Sequence, residues 1–410
     1  MAVYGKFLLE NLTTGMYQDS KVTYREYIQN ACDQIDKAIK QDITSKEEAE
    51  ITVTIQERER YICIEDNATG VSVEKFESDL GDIANSNKLL GEDKGFRGIG
   101  RLCGLAYCRE LRFTTSAMGE NKASIMICDA KRMREMLSDT VKYTNDEIWD
   151  TITKFDTKDD TEDSHYFRVE MIDVNNENTE LLDAKKIRDY LSFVAPVPYK
   201  NTFFLRKKIY DYVKEQNLRL DEYDIRVNGA SIFKEYTSII KEPGANNSLK
   251  PCDNIFDIEF HNFYDAEKRL IAWMWFGIST FEAQIKDVNP MRGIRLRSSN
   301  IQIGEDDRLR SLFKENRAIY YYVGEVHAVD KGLIPNSQRN YFNENESRVI
   351  FEDALRVYFY DELHKIYNKA NDVKNAHKKL TTYIEKSKEF EEKKKNGGFV
   401  SEKAKLKLQM

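Results

Sequence analysis

Apolar runs long enough to cross a bilayer are missing from this chain. The most apolar stretch, "LIAWMWFGI" (270–278), falls far short of the ~20 residues a spanning helix needs, so it reads as a buried strand. The first residues, "MAVYGKFLLENL", lack the apolar segment and cleavage site of a secretory leader, and no membrane contact is expected. The six cysteines (32, 63, 103, 108, 128 and 252) form no CxxC pair and have no histidine-rich spacing beside them. That argues against a zinc site or a disulfide frame and predicts reduced, mostly buried thiols in a cytoplasmic protein. An excess of positive charge is missing too. With 63 basic and 70 acidic residues the net charge is −7, which gives no global electrostatic case for nucleic acid. A local basic surface stays open. No glycine-rich loop followed by Gly-Lys-Ser/Thr occurs, and no internal repeat is visible.

What is present is a soluble-type composition, 41% hydrophobic and 32% charged, over 410 residues. That is too long for one ordinary core, so two domains plus an appendage are expected. Residues 21–41 read as an amphipathic helix, and "ITVTIQERERYICIEDN" (51–67) as a β-hairpin. Residues 74–110 read as a long connection, with glycines at 81, 91, 95, 98 and 100, closing into a helix at "RLCGLAYC". "ELRFTTS", "ASIMICD" and "YFRVEMIDV" read as strands, and the acidic 153–165 as a loop. Helical patterns at 180–215 enclose "APVPYKN", whose prolines place a domain boundary near 195–205. Strands dominate from 222, a helix follows near 346–368, and 371–410 reads as a lysine-rich exposed helix or tail with weak heptad-like apolar spacing.

Three local patterns carry chemistry. In "YREYIQNACDQID" (24–36), Glu26, Asn30 and Asp33 fall on one helical stripe that itself carries no cation. Such an Asn can ligate Mg²⁺ without adding charge, and the Glu can orient and deprotonate a water aimed at a phosphate. A polar helix face is the plain alternative. In "IEDNATGVS" (64–72), Asp66 ends an apolar strand before a turn with Gly70. A carboxylate there can accept from the amino group of adenine, or it is an ordinary strand-ending turn. In "GFRGIGRL" (95–102), Gly95, Gly98 and Gly100 precede a helix, an arrangement that can cradle phosphates or simply bend.

The order of these pieces resembles the GHKL ATPase superfamily, named for gyrase, heat-shock chaperone, histidine kinase and MutL. "REYIQNACDQIDK" (25–37), "IANSNK" (83–88) and "GFRGIGRLCGLAY" (95–107) are closest in detail to the ninety-kilodalton heat-shock chaperones. The resemblance implies an α+β chain. A Bergerat-type α/β sandwich at 1–200 would bind ATP, an S5-like transducer domain would occupy 201–370, and a charged helical tail 371–410. It implies Asp66 on adenine with Asp33 in support, Asn30 on Mg²⁺, Glu26 as general base, and cofactor contacts from Gly70, Gly95, Gly98 and Gly100. Asn85 and Lys88 would belong to a lid. "LIPNSQRNYF" (333–342) aligns Leu333, Asn336 and Arg339 with a chaperone segment whose Arg reaches the γ-phosphate. Lys331 is the alternative, as in the gyrase- and MutL-like branches. An ATP-dependent homodimer with an unknown protein client is implied, and nucleic acid is possible but not favoured.

Two features depart from that pattern or stand outside it. The family's D-x-G-x-G is here Asp66-Asn67-Ala68-Thr69-Gly70, with "SHYF" (164–167) at best replacing a later Gly-Thr. Arg295 and Arg297 alternate with Ile294 and Leu296, which reads as a solvated strand face or a basic binding surface.

Overall fold

The computed structural model describes residues 6–13, 19–81, 100–244, 248–281, 283–395 and 398. Helix α1 (Phe7–Thr13) leads to α2 (Val22–Lys40) and the hairpin β1 (Glu50–Gln56) and β2 (Tyr61–Asp66). Helix α3 (Val73–Gly81) and a 3₁₀ turn (Gly100–Ala106) precede β3 (Cys108–Ser116) and β4 (Lys122–Asp129). Then come α4 (Ala130–Ser138), α5 (Asn145–Ile152), β5 (Thr153–Asp159), β6 (Tyr166–Val174), α6 (Ala184–Val194), α7 (Arg206–Glu215), β7 (Asp224–Val227) and β8 (Ala230–Ser231).

β1 to β8 form one sheet in the order β5-β4-β3-β6-β2-β1-β7-β8, antiparallel except where β7 runs parallel to β1. Alternation decides its faces. Ile51, Val53 and Ile55 of β1 and Ile62 and Ile64 of β2 are buried in the same core as Ile28, Ala31 and Ile35 of α2. The opposite face carries cross-strand polar pairs, Arg168 with Glu65 and Tyr61 with Glu170. Asp66 continues the Ile62–Ile64 side of β2 and is therefore turned toward the helical layer.

Two parts of this region differ from expectation. The connection at 74–110 contains α3, whose Phe76 and Leu80 are buried, and its "RLCGLAYC" end is a 3₁₀ turn. The expected loop at 153–165 opens with strand β5, paired along its length to β4. β5 lies at the sheet's edge and is almost wholly exposed, so it shows no alternation of apolar residues.

The rest of the chain supplies a two-stranded ribbon, β9 (Ile239–Pro243) and β10 (Leu249–Asn254). A five-stranded sheet comprises β11 (Asp257–Tyr264), β12 (Leu270–Ile278), β13 (Gly293–Ser298), β14 (Ile301–Gln302) and β15 (Val323–Ala328), in the order β11-β12-β15-β13-β14. β12 is buried on both faces. Ala272, Met274 and Phe276 join one core, while Trp273 and Trp275 join another. Helix α8 (Glu346–Tyr358) continues through a π turn (Phe359–Leu363) into α9 (His364–Lys395). The whole is α+β, and no helix among the described residues is long and apolar enough to cross a membrane.

Arg295 and Arg297 correct the sequence reading. They are 6% and 0% exposed, neither a solvated face nor a binding surface. Arg297 donates to the Phe193 carbonyl at 2.8 Å and pairs with Glu325 at 2.5 Å. Arg295 donates to Gln302 at 2.6 Å and stacks on the Phe193 ring. Glu325 also takes Lys234 at 3.0 Å and the hydroxyls of Tyr199 and Tyr236. Burial opposes its charge, but Arg297 and Lys234 outweigh that and hold it well below the usual carboxylate range. This buried network joins the end of α6 to the five-stranded sheet.

Candidate functional site

Helix α2 is fixed from both ends of its buried face. The Tyr24 hydroxyl donates to the Leu181 carbonyl at 2.6 Å, and Ile28, Ala31, Cys32 and Ile35 fill the core. The same rotation leaves Glu26 (4% exposed) and Asp33 (3% exposed) inside, with Asn30 half-buried between them. The cation that bonds Glu26 most closely comes from far along the chain. Arg339 Nε donates to Glu26 Oε1 at 2.8 Å. Arg25 lies 3.8 Å from the same oxygen and donates to the Gln338 carbonyl at 3.3 Å.

Beside Glu26 the chain passes as bare backbone. A Cβ on Gly100 would lie 2.5 Å from Glu26 Oε2, so any side chain there would displace the carboxylate. Tyr27, the next residue of α2, clamps the following turn. Its hydroxyl donates to the Arg101 carbonyl and accepts from the Gly104 amide, each at 3.0 Å. Burial, and then the Glu26 carboxylate, push the Cys103 thiol up to about 12, so this cysteine in the same turn is no nucleophile at neutral pH. Gly95 and Gly98, with Asn85 and Lys88, lie outside the described residues.

The Asp66 turn is held on every side. Asp66 is 4% exposed, and its Oδ1 accepts from the Ala68 amide at 3.1 Å. The Ala68 carbonyl meets His165 Nδ1 at 2.8 Å. Thr69 donates to Gln34 of α2 at 3.1 Å, and the Val71 amide donates to the Thr115 hydroxyl at 2.9 Å. Gly70 has φ +61°, and a Cβ there would fall 1.8 Å from the Ser116 carbonyl oxygen. Ala68, by contrast, is not among the residues of positive φ, so the departure at that position carries no backbone strain. His165, Gln34 and Thr115 were not singled out from the sequence. Only the reading of "SHYF" (164–167) as at best the equivalent of the family's later Gly-Thr touched His165.

A buried acid under a glycine approach, with a second clamped acid turn on the next strand, is the geometry to set against known proteins. Residues 20–160 match the family of histidine kinase-, DNA gyrase B-, and HSP90-like ATPases. That stretch of the chain is similar to the GHKL ATPases. The chain is also similar to the chaperone protein HtpG of Halalkalibacterium halodurans, at 34% identity over 131 residues, covering 28% of this chain and 21% of that protein. It thus spans about a fifth of the length of the curated relative it matches.

The arginine that reaches Glu26 sits on a tightly tied loop. Leu333 is buried in the second core. The Asn336 amide donates to the Tyr341 carbonyl at 2.9 Å, and its side chain donates to Asn340 Oδ1 at 2.7 Å. Pro335 and Phe342 pair across the base. At the tip, Arg339 has φ +53°, a left-handed backbone that costs an arginine about 1–2 kcal/mol and that the loop's hydrogen bonds must hold. Lys331 lies exposed at the other end of the segment.

Proposed function

We propose that this chain is a slow, Mg²⁺-dependent ATPase that works as a conformational clamp. Residues 1–200 would bind ATP, with β7 and β8 returning to complete the sheet. Residues 201–370 would act as an S5-like transducer, and 371–410 as a lysine-rich tail. The observation that carries this reading is the contact between Arg339, on the second domain, and Glu26, in the first, at 2.8 Å.

The residues present fit the nucleotide. The Gly100 backbone beside Glu26 leaves room that a Cβ would fill, and the Asp66 turn presents a buried carboxylate. Asn30 would hold Mg²⁺, which when bound supplies positive charge to the terminal phosphates. Asp66 would accept from the adenine amino group, with Asp33 in support and Gly70 letting the turn approach Ser116. Gly95, Gly98 and Gly100 would cradle phosphates, with Asn85 and Lys88 in the lid over them.

Glu26 would take the proton of the attacking water. It can use Oε1 for this only after Arg339 releases that oxygen. A γ-phosphate offers Arg339 a forked acceptor in exchange, so ATP and ADP differ in what they do to the domain contact. ATP-dependent pairing of two chains around a protein client follows from the same reading. Burial of Arg295 and Arg297 removes two residues from any nucleic-acid surface and weighs against a MutL- or topoisomerase-like role. The test is turnover with and without Mg²⁺, paired with calorimetric ATP binding. Glu26→Ala should bind ATP nearly as wild type and lose about 10²–10⁴-fold in turnover. Equal turnover in both proteins removes Glu26 as the base. Binding without turnover in either leaves a nucleotide-gated scaffold.

A further inference from the structure

The two buried arginines of β13 are tied to the end of α6. Arg297 donates to the carbonyl of Phe193, in the last turn of that helix, and Arg295 stacks on the ring of the same residue at 4.6 Å. Arg295 also donates to the Pro290 carbonyl. Its remaining bond goes to β14, the two-residue strand that pairs back on β13. There Gln302, only 4% exposed, accepts from Arg295 at Oε1 (2.6 Å) and donates from Nε2 to the Gly304 carbonyl at 2.8 Å. A guanidinium can only donate and a carbonyl can only accept, so the two ends of this carboxamide are not interchangeable.

Gly304 carries the line on to the arginine loop. Its amide donates to the Arg339 carbonyl at 2.9 Å, while the Arg339 amide donates to the Asn336 carbonyl at 3.1 Å. Both peptide groups that flank the left-handed Arg339 are therefore held, one from within its own loop and the other from the end of β14. Gly304 itself has φ +69°, and a Cβ there would lie 2.6 Å from the Asn340 carbonyl oxygen. A left-handed arginine relaxes toward ordinary backbone unless its surroundings oppose it. We propose that Gln302 is the positioning residue for Arg339. By joining Arg295 to Gly304 it holds the loop tip where the guanidinium meets Glu26. Its part in turnover rests on the reading of Arg339 as the residue that reaches the γ-phosphate. Because this strut is founded on Phe193, a shift of the end of α6 is carried to the arginine.

Gln302→Glu separates the two ends of the carboxamide. It keeps an acceptor for Arg295 and loses the donor to Gly304. Hydrogen–deuterium exchange of the nucleotide-free 410-residue chain reads the loop. Residues 333–343 should exchange about 2–12-fold faster in Gln302→Glu, the worth of one hydrogen bond, while β12 and the thermal midpoint stay as in wild type. Gly304→Ala strikes the same strut from its other end and should do the same to the loop. In calorimetry and steady-state hydrolysis, Gln302→Glu should bind ATP as wild type does and lose turnover by a similar factor. Unchanged exchange at 333–343 in both variants overturns the proposal. So does acceleration spread evenly over the five-stranded sheet, which marks a purely structural residue, and so does wild-type turnover in Gln302→Glu. A wild-type chain that binds no ATP overturns the ATPase reading instead, and the exchange result then still decides whether Gln302 holds the loop.

Discussion

Arg339 and Glu26 are 313 residues apart in sequence and 2.8 Å apart in space. Both side chains are almost fully buried, at 11% and 5% exposed. The pair therefore ties the loop at 333–342 to helix α2. Arg25 adds a second guanidinium 3.8 Å from the same oxygen. Removing Arg339 leaves Glu26 still beside one cation, so folding should survive and function should not.

Arg339→Ala is expected to bind ATP within a few-fold of wild type and to lose about 10²–10³-fold in turnover, the usual cost of one transition-state donor. Arg339→Lys should recover little, because a point charge cannot make the forked contact. Steady-state hydrolysis gives the rates. Small-angle scattering with a non-hydrolysable analogue and with ADP gives the coupling: wild type should compact only with the analogue, and Arg339→Ala with neither. Should Arg339→Ala compact and hydrolyse normally, Lys331 becomes the residue to replace.

Asp66→Asn should abolish detectable ATP binding, since an acceptor pair becomes a half-donor against the adenine amino group. His165→Ala acts one step further out, by releasing the Ala68 carbonyl it holds at 2.8 Å. One such hydrogen bond is worth about 0.5–1.5 kcal/mol, so ATP affinity should fall by about 2–12-fold. Turnover at saturating ATP should stay constant, which separates a positioning role from a catalytic one. Titration calorimetry and saturation kinetics measure the two.

Substitutions at Gly70 and Ala68 should differ in cost. Gly70→Ala puts a methyl where the Ser116 carbonyl already is, in a left-handed backbone, and should destabilise by more than about 2 kcal/mol. Ala68→Gly restores the family residue but relieves nothing, because Ala68 is not strained. It should leave ATP affinity unchanged and cost about 0.5–1 kcal/mol of stability from added chain freedom. Denaturant unfolding of both variants decides the matter.

Acid should loosen the five-stranded sheet through His327. The ring is buried and stacked on Trp273 at 4.1 Å. Burial, against the pull of Glu325, holds its pKa down at about 4 from an ordinary 6.5. The unfolded chain therefore takes up this proton near 6.5 and the folded chain only near 4. Stability should fall as pH drops through that window, by at most about 1.4 kcal/mol per pH unit from this group. His327→Gln should flatten that part of the curve, measured as unfolding free energy from pH 7 to 4.

Local patterns made the helix of Glu26, the hairpin of Asp66 and the buried strand at 270–278 legible in the sequence, because each carries its own periodicity. β5 was not legible, since an exposed edge strand of mixed polar residues has no period to read. Nor were the surroundings of Arg295 and Arg297. Alternation gives a side chain's face but not what lies over it, and their partners are Glu325 and a carbonyl of α6. The clamps on the Asp66 turn were hidden for the same reason. His165, Gln34 and Thr115 are ordinary residues until the sheet brings them to one place.

β7 lies parallel to β1, with Ile225 beside Ile51. During synthesis, β1 to β6 can assemble once residue 174 has emerged, but one side of β1 keeps its backbone groups unpaired until β7 follows. At ~5–20 residues per second, that open edge persists for several seconds on the ribosome. A fragment stopped at residue 200 would keep it permanently and would be prone to stick to its own copies. The reading frame through residue 231 is therefore the shortest from which the eight-stranded sheet can be made whole.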